Sequence, residues 1–145
     1  SSIRGSAQAV IQNCVSSSGV TVGNAVVGGL TGSNTDGACI LDSGCSDGYV
    51  NSLRDLAGGV CGLSTLSYID NSYCRTEVVS QSSASGFCGL SYNSTFTNCY
   101  SSSTISGRRT DIFCNGIITS VKDCYYDNSF GIAFSSNTLN ITGIE

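Results

Sequence analysis

Gly28-Gly29-Leu30-Thr31-Gly32, followed thirteen residues after its last glycine by Cys45, is the fullest spelling of a pattern that this 145-residue chain repeats. Shorter copies read Ile3-Arg4-Gly5, Val60-Cys61-Gly62, Phe87-Cys88-Gly89 and, with asparagine in place of glycine, Phe113-Cys114-Asn115. Nine to twelve residues beyond these stand Cys14, Cys74, Cys99 and Cys124. Successive copies lie 25 to 31 residues apart, a period at which internal self-similarity indicates a solenoid or related array. A unit that short cannot bury a core alone and must stack on its neighbours.

The rhythm within each copy is that of β-structure. Short β-branched and aromatic runs, punctuated by Gly, Ser and Asn, recur about every eight to ten residues. One run carries the apolar-x-Gly signature, a second leads into the repeat cysteine (Val10 to Cys14, Tyr68 to Cys74, Thr95 to Cys99, Val121 to Cys124), and a third follows it. The third reads Val20-Thr21-Val22, Tyr49-Val50, Val78-Val79, Thr104-Ile105-Ser106 and Ile132-Ala133-Phe134. The expectation is an all-β chain forming a right-handed parallel β-helix, or β-solenoid, of about five coils with three short strands each. It would be one domain over 1–145, with repeats near 1–27, 28–56, 57–83, 84–110 and 111–145.

Two details set local expectations. Ile11, Phe96 and Val121 stand three residues before their cysteines, so both can face inward only if the strand bends near Asn13, Asn98 and Asp123. Gly5, Gly32, Gly62 and Gly89 occupy one phase of the repeat and are expected at corners, with positive φ or close approach between coils. The second copy carries extra residues, Ser33 to Cys39, expected to project as a loop.

The nine cysteines arrange by phase into two columns, Cys14, Cys45, Cys74, Cys99 and Cys124 in one and Cys61, Cys88 and Cys114 in the other, with Cys39 outside both. Neighbouring strands lie about 4.8 Å apart and disulfides accept Cα separations of about 4.4–6.8 Å, so vertical bridges are sterically allowed. Cys14 with Cys45, Cys74 with Cys99 and Cys61 with Cys88 are examples, and Cys39 with Cys45 would close the inserted loop. Nine is odd, so one thiol stays free or bonds another chain. The competing reading is a set of free thiols acting as small buried apolar residues.

Composition narrows the function classes. Only 11% of residues are charged, the net charge is −4, and there is no histidine, proline, methionine or tryptophan. Scattered basic residues argue against a nucleic-acid partner, and no run approaches the roughly 20 apolar residues of a membrane span. Without histidine or closely spaced cysteine pairs, a zinc site is not expected, nor any cofactor. The sequons Asn93-Ser94-Thr95 and Asn140-Ile141-Thr142 mark Asn93 and Asn140 as glycosylation candidates and favour an extracellular location. Ser1 begins inside a repeat, so a processed or cut N-terminus is expected, with an open end that joins upstream repeats or another copy.

Gly28-Gly29-Leu30-Thr31-Gly32 and the Asn98-Cys99-Tyr100 type of ending resemble the GLUG-motif repeat. Asp123-Cys124-Tyr125-Tyr126-Asp127 resembles the Cys-Tyr-Trp-Asp segment that closes such arrays, and Ile141-Thr142-Gly143-Ile144 the short strand after it. The resemblance implies a secreted or cell-surface, adhesin-like scaffold rather than an enzyme.

Four other functions find partial signals in the sequence. Asn34-Thr35-Asp36-Gly37 resembles the first catalytic motif of polygalacturonases, but their paired Asp-Asp, Gly-His-Gly and Arg-Ile-Lys are absent from the chain, and a polar turn accounts for the tetrapeptide. Asp36, Asp42 and Asp47 could gather around calcium, but their spacing fits neither an EF-hand nor a nonapeptide calcium repeat, and solvated turn acids account for them. Threonines such as Thr21, Thr97 and Thr104 lack the fixed phase of an ice-binding array. Tyr100, Tyr125 and Tyr126 follow repeat cysteines and could stack on sugars, which makes a carbohydrate-binding module the main rival to a non-enzymatic structural or adhesive solenoid.

Overall fold

The structure, a computed structural model, describes residues 9–17, 19–111, 113–117 and 119–127, together with the backbone of 138–144. It is an all-β parallel solenoid of about four turns, without helix among the described residues. The first turn supplies β1 (Val10–Gln12), β2 (Val15–Ser17), β3 (Val20–Gly23) and β4 (Val27–Gly28). The second supplies β5 (Thr31–Thr35), β6 (Cys39–Leu41), β7 (Gly44–Ser52) and β8 (Leu56–Gly58). The third holds β9 (Cys61–Thr65), β10 (Tyr68–Asp70), β11 (Tyr73–Ser80) and β12 (Ser83–Ser85). The fourth holds β13 (Cys88–Tyr92), β14 (Thr95–Thr97), β15 (Tyr100–Ser101), β16 (Thr104–Ser106) and β17 (Arg109–Asp111). The chain then runs through β18 (Cys114–Ile117), β19 (Thr119–Asp127) and β20 (Thr138–Ile144), which pairs in parallel with β19.

The strands stack into a 12-stranded sheet and two 4-stranded sheets, ordered β17-β12-β8-β4 and β18-β13-β9-β5. The expected three strands per coil thus become four or five, and about five coils become about four turns. The apolar-x-Gly runs are turns at their start: Leu30, Val60, Phe87 and Phe113 precede strands that begin at Thr31, Cys61, Cys88 and Cys114. Ile132 to Phe134 and Gly5 lie outside the described residues.

Inward residues repeat by register and build the core. Ile11, Ile40, Ile69, Phe96 and Val121 form one ladder through β1, β6, β10, β14 and β19. Leu30, Val60, Phe87 and Phe113 form another, each peptide N–H donating to the carbonyl of the next residue in the ladder. Phe87 stacks on Phe113 with ring centroids 4.7 Å apart and planes at 6°, and meets Phe96 edge-on at 5.9 Å. A second cluster packs Val27, Ala57 and Ala84 against Val50, Val78 and Ile105. Between the clusters of side chains, buried hydroxyls satisfy one another across turns, as in Ser64 Oγ to Ser94 Oγ at 3.1 Å and Ser91 Oγ with Thr119 Oγ1 at 2.8 Å.

The bend needed between apolar residue and cysteine is present. Asn13, Asp42, Asn71, Asn98 and Asp123 all adopt left-handed backbone, φ 54°, 49°, 49°, 51° and 52°, at one phase of the turn. One αL residue reverses the strand parity, so Phe96 and Cys99, or Val121 and Cys124, both point inward and are fully buried. Asn and Asp hold this position because their short polar side chains tolerate αL better than other non-glycine residues. The positive φ expected of the corner glycines therefore falls on these residues instead, and among the described glycines only Gly37 has it.

A second αL ladder runs through Asp36, Leu66 and Asn93, φ 56°, 50° and 47°. Leucine is the misfit, since αL costs a residue of its kind about 1–2 kcal/mol, and its side chain is half exposed. We expect Leu66→Asn to stabilise the fold by about 1 kcal/mol, read as a higher urea midpoint at unchanged slope.

The extra residues of the second copy do not project as one loop. The offset between second and third turns falls from 30 at Thr35↔Thr65 to 29 at Cys39↔Tyr68, 28 at Gly48↔Thr76 and 27 at Leu56↔Ser83. Each surplus residue is absorbed separately, in the Asp36-Gly37 turn, in a bulge at Asp47 and in the bend after Ser52. Bulges and turns change length without flipping the inward faces, whereas a slip inside a strand would expose its core residues.

Candidate functional site

The cysteines do not form the five-membered ladder that spacing suggests. Cys45 pairs in register with Cys74, but its other neighbour is Ser16, and Cys74 continues onto Ser101. The N–H of Gly44 donates to the carbonyl of Cys14, and that of Tyr100 to Ser72, which places Cys14 beside Ser43 and Cys99 beside Ser72. Two inward columns two residues apart result: Cys14, Ser43, Ser72, Cys99, Cys124, and Ser16, Cys45, Cys74, Ser101. Serine and cysteine are nearly the same size, so each of the first four rungs places one of each in either order, and β19 places Cys124 with Tyr126. The bridges Cys14–Cys45 and Cys74–Cys99 are thereby ruled out by register.

Nor is any other disulfide formed, because all nine thiols are free. Cys61 and Cys88 lie in register with sulfurs 3.4 Å apart, well beyond the roughly 2.05 Å of a bond. Cys39 sits on β6 with its sulfur directed at the Gly37 carbonyl, and closes no loop with Cys45. The thiol contact from Cys88 and burial push the Cys61 pKa above its ordinary value, and burial with the Asp111 charge does so for Cys114. Thiolates are the reactive form. Neighbouring donors instead lower the pKa of Cys74 and Cys124, so access decides: a thiol reagent is expected to label the exposed Cys14 rapidly in the native protein and Cys39 more slowly, and the seven buried thiols only on unfolding, as peptide-mapped mass spectrometry would report.

Of the corner glycines, Gly62 and Gly89 are held by close approach. An added Cβ would come within 2.6 Å of Val26 Cγ1 at Gly62 and 2.6 Å of the Gly62 carbonyl oxygen at Gly89. Gly32 is looser, with the Val26 carbonyl at 3.2 Å. Asn93 is exposed at its αL turn, while Asn140 falls on β20, where side chains lie outside the described residues. Asp36 and Gly37 form a tight turn closed by the Ala38 N–H on the Thr35 carbonyl at 3.1 Å. That turn geometry accounts for the Asn34-Thr35-Asp36-Gly37 tetrapeptide. Asp36, Asp42 and Asp47 lie at three separate bends of the second turn, and no group of three or more His, Cys, Asp or Glu side chains placed to hold a metal occurs among the described residues.

The most distinctive outward feature lies along the edge where the αL ladder turns the chain. Between the two serine–cysteine columns runs an outward column of Val15, Gly44, Tyr73, Tyr100 and Tyr125, in register from turn to turn. Tyr73 and Tyr125 are 39% and 43% exposed, and Tyr100 is half-buried. A Cβ on Gly44 would lie 2.2, 2.4 and 2.5 Å from Cε1, Cζ and Cδ1 of Tyr73. Near-equal distances to three successive ring atoms put that point over the face of the ring. Tyr73 therefore lies flat on Gly44 while remaining partly open to solvent.

Beside the tyrosines the αL residues are laced together. Asn71 Nδ2 donates to Asp42 Oδ1 at 2.7 Å and Gln12 Nε2 to Asp42 Oδ2 at 3.3 Å. Asn98 Nδ2 and the Thr97 hydroxyl both donate to Asp70 Oδ1, and Thr97 Oγ1 meets the Tyr68 hydroxyl at 3.0 Å. The bonds from Asn71 and then Gln12 hold the exposed Asp42 carboxyl below the ordinary carboxylate range. On the other side of the tyrosines an open hollow of about 200 Å³ is lined by Asp47, Gly48, Arg75, Thr76, Glu77, Ser102 and Thr104. Arg75 Nη2 pairs with Asp47 Oδ1 there at 3.1 Å.

Sequence reasoning missed Tyr73 because it precedes its cysteine whereas Tyr100 and Tyr125 follow theirs. The signal that finds it is the frame Ser72-Tyr73-Cys74, Cys99-Tyr100-Ser101, in which tyrosine stands between two inward small residues. Tyr126, by contrast, packs against the main core. Comparison of the chain with protein-family models, curated proteins and solved structures finds no significant match.

Proposed function

We propose that this β-solenoid is a non-enzymatic, extracellular structural and adhesive module, a segment or subunit of a surface stalk, appendage or filament. The observation that carries this reading is the first turn. Among the described residues, its strands β1, β2, β3 and β4 each pair on one side only. Four strand edges of that turn are therefore without a partner among the described residues, and unpaired edges template further pairing. Exposed apolar side chains gather on the same turn, at Val10, Val15, Val20 and Val22, the most open being Val20 at 73%. Upstream repeats or another copy of the chain would cover both.

An exterior built from hydroxyls and amides with few charges, together with an accessible Asn93, supports an extracellular setting, and the GLUG-like repeat agrees with a scaffold. Negative-stain imaging tests the proposal. Rods that join end to end with rising concentration, and labelling of intact cells by an antibody to the chain, are expected. Isolated particles that never associate through their ends, or a purely intracellular antigen, would overturn it. The tyrosine column favours the second reading, a carbohydrate-binding surface.

A further inference from the structure

We propose that the outward edge formed by Tyr73, Tyr100 and Tyr125, with the neighbouring Asp42, Asp70, Asn71 and Asn98, binds a neutral linear polysaccharide laid along the solenoid axis. This deepens the adhesive reading by naming the class of partner, and rests on it only for biological setting. Three features of the edge converge on sugar. Pyranose rings present a flat C–H face that packs on an aromatic ring, and Tyr73 is held flat by Gly44, which lacks the side chain that would lift it. The tyrosines recur once per turn, in register from strand to strand at spacings of about 4.8 Å, so a chain of sugar rings running up the axis meets a new tyrosine at each step. Alongside them stand carboxylates and amides already fixed by mutual hydrogen bonds, with free acceptor and donor capacity for hydroxyls.

The charge on the edge selects among glycans. Along the strands that carry the tyrosines and their flanking turns, the acidic Asp42, Asp47, Asp70, Glu77 and Asp123 outnumber the basic Arg75 and Lys122, and Arg75 is already paired with Asp47. An acidic polysaccharide would be repelled, whereas a neutral one has only hydroxyls to satisfy. The open hollow beside Ser102 and Thr104 gives room for a branch or an exocyclic group next to the tyrosines. A second protein chain is the less suitable occupant, because the ladder of exposed, solvated carboxylates would have to be desolvated without cationic partners.

The test is affinity electrophoresis of the full chain through gels containing soluble glucan, xylan, mannan or galactan, with polygalacturonate as the acidic comparison. Calorimetry on the oligosaccharide of any positive glycan follows. We expect saturable retardation by at least one neutral polymer, none by polygalacturonate, and at least a tenfold weaker Kd for Tyr100→Ala and for Tyr73→Ala. Tyr92→Ala, an exposed tyrosine of another column, should bind as the parent does. Thermal melts identify any variant that fails to fold, and Tyr125→Ala, nearer the end of the array, then serves in its place. Absence of retardation in every neutral gel, or binding indifferent to all three tyrosines, overturns the proposal. So does concentration-dependent self-association abolished by the tyrosine changes, which would make the edge an interface between copies. Rods without glycan binding would sink this inference and leave the scaffold standing; glycan binding without rods would do the reverse.

Discussion

Replacing Phe87 by alanine is expected to cost about 3–5 kcal/mol, a large part of the roughly 5–15 kcal/mol that holds a domain together. The side chain is fully buried, stacked on Phe113 and edge-on to Phe96. It joins the ladder through Leu30, Val60 and Phe113 to the ladder through Ile69 and Phe96, so its removal opens a cavity shared by two turns. In a solenoid each turn is stabilised mainly by its neighbours, and a defect in the third interface separates the array into two shorter ones. Urea unfolding followed by circular dichroism should show the loss, and a second transition where the halves uncouple. Phe87→Leu keeps an apolar occupant of the kind Leu30 already provides in the same ladder, and should cost less than about 1.5 kcal/mol. A small effect of the alanine variant would mean that the phenylalanine stack contributes little to holding the turns.

The second large effect is expected at Gly59, between β8 and β9. A Cβ there would lie 2.2 Å from Cys74 Sγ and 2.2 Å from the Gly86 carbonyl oxygen. The oxygen belongs to the backbone of the next turn and cannot rotate away, so Gly59→Ala must shift one turn against another. We expect a loss of at least about 3 kcal/mol, the upper range for overpacking, and failure to accumulate as folded protein at 37 °C. Gly32→Ala is the comparison. Its added carbon meets only the Val26 carbonyl at 3.2 Å, and the cost should stay below about 1 kcal/mol. Equal losses at the two positions would show that backbone entropy, and not contact between turns, governs the glycines.

The two glycines illustrate what could be read without coordinates. Gly32 belongs to the repeated phase and looks like the corner residue, while Gly59 is the glycine one place before an apolar-x-Gly run. Sequence phase marks where a turn falls, but which glycine touches the neighbouring turn depends on how the turns are pitched against each other. The same division holds at the tyrosine edge. Tyr100 and Tyr125 were visible beside their cysteines, and the bend at Asn13, Asn98 and Asp123 was required by strand parity alone. Tyr73 joined them only when the register set Ser72 beside Cys99 and Cys74 beside Ser101.

By itself the amino-acid sequence determined that this chain is all-β and that it stacks. A period of 25 to 31 residues with alternating apolar positions has no other way to bury its apolar faces, and that requirement is local to each repeat. Only the tertiary structure decided which residues of successive turns lie one above another, and hence the split cysteine columns, the unpaired thiols, the dispersal of the extra residues and the continuous line of tyrosines. Register is a property of the whole ladder of hydrogen bonds. Serine and cysteine fit the same inward site, so the sequence leaves a two-residue choice that is settled by the αL turn and the packing of every neighbouring strand.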